Sequence, residues 1–222
     1  SSEALLTMLE RIGKREGLGD ILAEGSKRAA DKFNHPELFM GVKGQDFAAY
    51  DPRWIQGMGL TYATSNRGAC HLRSYTVGSE ILGIPEKTDP FSTQGKWDLV
   101  KIYQDLTALV DSTGVCIFVT FGVTLDDLLP ALNAATGSNF TAEGLMQTGE
   151  RIWNLEKLFN IKAGFKKEDD TLPERLLEQG VPAGPTKGMV NRLVEMLSEY
   201  YRARGWDSEG VPTESKLQNL CL

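Results

Sequence analysis

A mainly α-helical fold is what this sequence predicts, and three observations predict it. Apolar residues recur at helical spacing in one stretch after another. Residues that cap helices stand in front of several of those stretches. Glycines and prolines separate the stretches, with no internal repeat and no low-complexity tract. A chain of 222 residues can bury a core without disulfides or a structural metal. Its 41% hydrophobic and 24% charged residues belong to the globular range, not the disordered one.

The elements follow in order. Residues 3 to 16 carry Leu5, Leu6, Met8, Leu9 and Ile12 on one helical face, and Gly17 and Gly19 end that helix. Asp20 caps a second helix with Ile21, Leu22, Ala29 and Phe33 as its apolar positions, stopped at Asn34-His35-Pro36. His35 reads as a solvated loop residue. Residues 38 to 50 read as extended and irregular, and a domain boundary is expected near residue 45. Asp51-Pro52 opens a helical segment that reaches Ser65. Gly57 and Gly59 would each cost it about 1 kcal/mol relative to alanine. Either close packing requires them or the segment is irregular.

Residues 76 to 96 hold Gly78, Gly83, Pro85, Pro90 and Gly95 and read as a long loop with one short helix at most. Residues 97 to 110 give the clearest helix, with Leu99, Ile102, Tyr103, Leu106, Leu109 and Val110 as a buried stripe and an end at Gly114. Thr124 caps a helix through Ala135, with Asp126 and Asp127 in its first turn. Thr141 caps another through Ile161, whose buried face is Leu145, Ile152, Leu155, Leu158 and Phe159. Residues 169 to 181 are polar. Residues 186 to 204 predict an amphipathic helix, and Thr213 caps a last short one.

Composition also narrows function. A net charge of −6 opposes a nucleic-acid binder. No apolar run approaches the roughly 18 residues that span a bilayer. The N-terminus has no basic-then-apolar signal pattern. A soluble, cytoplasmic protein is the expectation. Cys70, Cys116 and Cys221 are too widely spaced to form a metal knuckle, so each reads first as a free thiol.

Chemistry concentrates in two stretches, residues 62 to 75 (YATSNRGACHLRSY) and 111 to 118 (DSTGVCIF). Asp111 follows the last apolar turn of a helix. It is either a solvated helix-end carboxylate or an acceptor for paired N–H donors of a heterocycle, with Gly114 supplying tight backbone geometry beside it. Cys116 lies in an apolar run, which suits a core thiol and equally the dry shell of a metal cluster. His71 is flanked by Arg67 and Arg73, which would disfavour an imidazolium if all three point the same way. Arginines around Gly68 suit a phosphate or form an exposed basic loop. Cys70 reads as packing.

These motifs, together with GERIWNLEKLFN and YYRARGWDSEGVPTESKLQNL, resemble the C-terminal part of the tungsten-containing aldehyde:ferredoxin oxidoreductase family. The resemblance runs from about Gly19 to the end. It implies a mainly α domain of that family's C-terminal type, with residues 1–45 ending the second domain and 46–222 forming the third. It implies oxidation of aldehydes to carboxylic acids at a bis-pterin tungsten (or molybdenum) cofactor. Electrons then pass through a [4Fe–4S] cluster to ferredoxin.

By the family's DxxGLC pattern, Cys116 is the cluster's fourth ligand, and Asp111, Gly114 and Val115 meet a pterin. Val115 replaces the family's leucine. His71 takes the place of the histidine near tungsten, with a hydrogen-bonding or proton-transfer role. Arg67, Gly68 and Arg73 fall in the cofactor-facing loop. The family's other cluster cysteines are not in these 222 residues, where no two cysteines lie within forty residues of each other. The resemblance therefore implies a fragment that is silent alone and needs the enzyme's N-terminal domains. Such a fragment exposes an apolar face and is expected to self-associate.

Two other readings stand beside this one. One is a related tungstoenzyme subunit that works on another substrate, such as an aromatic acyl thioester. The other is a non-catalytic helical interaction protein, which would leave His71, Asp111 and Cys116 without a shared purpose.

Overall fold

The structure, a computed structural model, describes residues 1–222. Three short helices come first: α1 (Ser2–Lys14), α2 (Leu18–Leu22) and α3 (Ser26–Lys32). A two-stranded antiparallel hairpin follows, β1 (Gly41–Val42) with β2 (Gln45–Asp46), in which Gly41 faces Asp46. The body consists of α4 (Gln56–Thr64), α5 (Lys96–Ser112), α6 (Leu125–Thr136), α7 (Ala142–Lys162), α8 (Glu174–Glu178), α9 (Leu193–Arg204) and α10 (Glu214–Asn219). The mainly α expectation is met. No helix is long and apolar enough to cross a membrane.

Helix α5 is the axis of the body. It packs against α7 and α9, and α4 lies across α5 and α9. The core between them holds Met58, Leu60, Tyr62, Val100, Trp153, Met196 and Tyr200, all buried. All nine residues of α4 are buried, and its two glycines are there for close approach. A Cβ on Gly57 would meet the Glu80 carboxylate at 2.8 Å, and one on Gly59 would overlap the Asn191 amide. The helix itself is shorter than the 51–65 expectation, because residues 51 to 55 turn before it begins.

Several expectations need correction. The helix expected from Asp20 to Phe33 is two helices, broken where Gly25 takes a φ of 92°. The 186–204 helix begins only at Leu193. Residues before it form a loop in which Gly188, at φ 84°, donates its N–H to the Val181 carbonyl at 2.8 Å. Residues 76 to 96 do form a loop, with one wide π-type turn at Gly78–Leu82.

The largest corrections concern helix faces. The sequence stripe on α5 is divided. Leu109 and Val110 are buried, Ile102 is 51% exposed, and Gln104, Asp105 and Ala108 face the core instead. On α7, Leu145 is buried as expected, but Leu155 and Phe159 are 48% and 72% exposed, and Trp153, Asn154 and Lys157 take the inside. Leu5, Leu6 and Leu9 of α1 also lie exposed.

The buried charged residues are in ion pairs. Arg204 reaches Asp105 at 2.5 Å and Gln104 Oε1 at 2.6 Å. Lys43 and Lys157 hold Asp170 at 2.9 Å and 2.7 Å, which ties the hairpin to the helical body.

Candidate functional site

The two stretches singled out in the sequence meet at the C-terminal end of α5. The first leaves α4 at Ser65 and runs through a tight loop to Tyr75. Gly68 sits in that loop at φ 101°, a conformation L side chains rarely adopt. A Cβ there would meet the Gln45 side chain at 2.7 Å and the Val42 carbonyl at 3.0 Å, so the loop lies against the hairpin. The second stretch begins inside the last turn of α5 and continues into the short 3-10 turn Ile117–Phe121, which Cys116 precedes.

Arg73 makes the link between them. Its side chain is 7% exposed and its guanidinium lies 5.1 Å over the Trp153 ring. Nη1 donates to Asp111 at 3.2 Å, and Nη2 donates to Glu156 of α7 at 2.5 Å. Asn66 adds a 3.4 Å hydrogen bond to the same Glu156 oxygen, and Asn160 donates to the Asn66 carbonyl at 2.6 Å. Asp111 is therefore neither free nor purely a helix-end charge. Half of it is held by a buried arginine, and its Oδ1 has no protein partner.

The two arginines beside His71 do not point the same way. Arg67 turns back on Cys70, with Nε and Nη2 each 3.2 Å from the buried sulfur. Cys70 is packed, as expected, but it also accepts these two donors. His71 is half-buried. Burial, and then the charge of Arg67, hold its pKa below the ordinary imidazole value, so the neutral ring is favoured. Arg73 takes no part in that. The ring lies 5.5 Å from Tyr50 and 6.1 Å from Tyr75, whose hydroxyls are 2.9 Å apart.

Cys116 is exposed, which corrects the core-thiol reading, and Val115 beside it is exposed too. Gly114 takes φ 76° with open space around it. No three His, Cys, Asp or Glu side chains gather here as a metal site. A [4Fe–4S] cluster needs four ligands. The exposed Cys116 thiol has the chemistry of one such ligand, and these residues gather no others beside it. The free oxygen of Asp111 fits an acceptor for a pterin N–H.

Between the stretches lies a cavity of 370 Å³. Leu72 and Tyr75 line it from the first stretch, Ile117, Phe118 and Phe121 from the second, and Tyr103 from α5. Tyr75 stands edge-on to Phe121, with centroids 5.7 Å apart. The sequence reading missed Glu156, Tyr50 and this aromatic wall. Glu156 stood in a motif of the resemblance, GERIWNLEKLFN, with no role attached.

A helical fold of this shape is shared with a chain of the active-site complex BamBC of benzoyl coenzyme A reductase, solved with 1,5-dienoyl-CoA. The TM-score is 0.71 at 20% identity, over 97% of this chain and 38% of that one. Residues 1–222 match the family model described as aldehyde ferredoxin oxidoreductase, domains 2 & 3, and the chain belongs to that family. Tungsten-containing aldehyde ferredoxin oxidoreductase of Pyrococcus abyssi is 52% identical over 224 residues. That of Thermococcus kodakarensis is 48% identical over 222 residues. The chain spans 37% of the length of these relatives. A more distant relative, the WOR-like subunit of an aliphatic sulfonate oxidoreductase of Pyrococcus furiosus, is 30% identical over 98% of this chain and 34% of its own length.

Proposed function

We propose that this chain is the helical C-terminal part of a cytoplasmic tungstopterin oxidoreductase that converts aldehydes to carboxylic acids. The overall change is R–CHO + H₂O to R–COOH with release of two protons and two electrons. When bound, the tungsten–pterin centre supplies the two-electron acceptor, and a [4Fe–4S] cluster relays the electrons to ferredoxin. In this reading residues 1–45 close the family's second domain and 46–222 form its third.

The observation that supports it best is the cavity between the two segments, with Leu72 and Ile117, the residues that follow His71 and Cys116, on its wall, though neither His71 nor Cys116 lines it. Its lining is mostly apolar and contains no charged residue. That suits a neutral carbonyl compound and offers no charged partner to a sulfonate, which favours this reading over that of the distant relative. The likeness to the thioester-binding complex concerns fold alone and does not choose a substrate.

The residues then have distinct tasks. His71, neutral at pH 7, has one N–H to donate to a carbonyl oxygen and one bare nitrogen to take a proton. The apolar wall of Leu72, Phe118 and Phe121 holds the substrate's R group and excludes water. Asp111, fixed by Arg73, accepts from a pterin N–H. The exposed Cys116 thiolate serves as a cluster ligand. The exposed leucines of α1 suit contact with the enzyme's other domains or with a second copy.

In the full-length enzyme, His71→Ala is expected to lower aldehyde turnover by 10²-fold or more, in the usual range for a general acid–base group, with tungsten content intact. Full turnover in that variant would remove His71 from the mechanism. Because burial lowers its pKa, activity is expected to persist through neutral pH. It is expected to fall only in acid, below the ordinary imidazole value of about 6.5. A flat acid limb would contradict the assignment.

A further inference from the structure

The cavity of 370 Å³ has a further wall that neither stretch supplies. Gly78, Ile84 and Pro85 of the loop before α5 make it, together with Tyr103 of α5. Long loops in compact domains are often mobile, but this one is fastened to itself. Ile84 donates its N–H to the Gly78 carbonyl at 2.9 Å, and Thr88 donates to the Ser79 carbonyl at 3.0 Å. Lys87 Nζ donates to the Glu80 and Ile81 carbonyls, each at 2.9 Å.

Glu80 fastens the loop to the body. Its side chain is fully buried. Its Oε1 meets Lys96 Nζ at 2.7 Å and accepts from the Gly57 N–H at 3.1 Å. Lys96 opens α5 and Gly57 lies in α4, so one carboxylate ties the turn to both helices. Lys96 Nζ also donates to Thr88 Oγ1 at 3.2 Å. A buried ion pair is weak evidence for stability, since desolvation offsets most of its attraction. What this one fixes is the place of the turn that carries Gly78 and Ser79.

The hydroxyls around this wall are already occupied. Tyr103 and Ser79 share one hydrogen bond, and the Ile84 carbonyl, 3.3 Å from Ser79 Oγ and 3.5 Å from Tyr103 Oη, accepts the remaining proton. Thr120 donates to the Ile117 carbonyl and Thr124 to Asp127, both at 2.7 Å. With no proton to spare for a ligand, the wall discriminates by size and shape.

Resting on the reading under Proposed function, we infer that this wall sets the largest R group the enzyme accepts. Ile84 and Tyr103 are its specificity-determining contacts, and Glu80 is the positioning residue that holds the turn against the cavity. An apolar cavity of about 150 Å³ holds one benzene ring. At 370 Å³ this one has room for two rings and not for three. Ile84→Ala opens the wall, and Ile84→Phe closes it.

The test uses the full-length enzyme, with oxidation of benzaldehyde, 2-naphthaldehyde and 2-anthracenecarboxaldehyde followed as reduction of a viologen dye. Each larger aldehyde is read as the ratio of its kcat/KM to that of benzaldehyde. Ile84→Ala is expected to raise the three-ring ratio about tenfold or more, and Ile84→Phe to lower the two-ring ratio by about the same factor. Glu80→Gln weakens the tie to Lys96 and is expected to raise the three-ring ratio by a smaller factor, through KM and not kcat. A purely structural Glu80 would lower the thermal midpoint and leave the ratio unmoved, which would overturn its positioning role. Ratios within about twofold of wild type in both Ile84 variants, or moving in the same direction, would overturn the inference while aldehyde oxidation stands. A wild-type enzyme that oxidises none of the three aldehydes would overturn the function reading as well.

Discussion

Helix α5 carries two aspartates that each take an arginine, and the two pairs have opposite designs. Asp105 is 4% exposed and its partner Arg204 is fully buried. Arg204 reaches Asp105, Gln104, the Tyr200 hydroxyl and the Lys101 carbonyl, so each of its side-chain nitrogens has a partner. Asp111, at the end of the same helix, is 38% exposed. Arg73 serves it and Glu156 together, and keeps one buried nitrogen unpaired. The first pair is closed and fastens α5 to α9. The second is open on one side and leaves acceptors free. A structural ion pair satisfies itself, whereas a site holds capacity for something else.

The contrast predicts a ranking of effects. Arg204→Met would leave the buried Asp105 with Lys101 as its one remaining charged partner and strand Gln104 and the Tyr200 hydroxyl, a loss of about 3 kcal/mol or more, read as the urea midpoint of unfolding. A loss under 1 kcal/mol would break the comparison. Asp170→Asn comes next, at about 3 kcal/mol near neutral pH. Burial alone would raise the Asp170 carboxyl, but Lys43 and Lys157 outweigh it and hold the pKa below the ordinary value.

A depressed carboxyl contributes stability above its unfolded value, near 4, and loses it as pH falls through the lower folded value. The Asp170→Asn penalty should therefore stay level from neutral pH down to about 5 and shrink below about 4. A penalty that grew in acid would contradict this. Arg73→Met should cost only about 1–2 kcal/mol, because both of its carboxylates keep contact with water. Cys116→Ser should lie within about 0.5 kcal/mol of wild type in the chain without a cluster.

How much of this was legible depended on what each residue serves. Helices α6, α7 and α10 could be placed because their caps are local. Thr141 and Thr213 accept from the N–H three residues on, at 3.1 Å and 3.3 Å, and Thr124 with Asp127 forms a capping box. The faces of α5 and α7 could not be placed, because their apolar residues are shared between the core and the cavities. Tyr103 and Leu106 line the cavity, and Leu155 and Phe159 line a bay beside Arg73. Periodicity counts apolar residues without saying which surface covers them. Cys116 looked internal for the same reason, since Val115 and Phe118 beside it are exposed.

The site was half legible. Composition and spacing drew attention to His71, Asp111 and Cys116. That Arg73 would turn to Asp111 and Glu156, and Arg67 to Cys70, depended on side chains far apart in sequence. No local pattern carries that information.

The central claim is that the open end of α5 completes a redox centre whose other ligands lie elsewhere in the enzyme. Low-temperature electron paramagnetic resonance of the reduced full-length protein tests it most directly, wild type against Cys116→Ala. The account predicts a [4Fe–4S] signal in the wild type that is altered or lost in the variant, with the fold retained. An unaltered signal in the variant, or no cluster signal in the wild type, would contradict it.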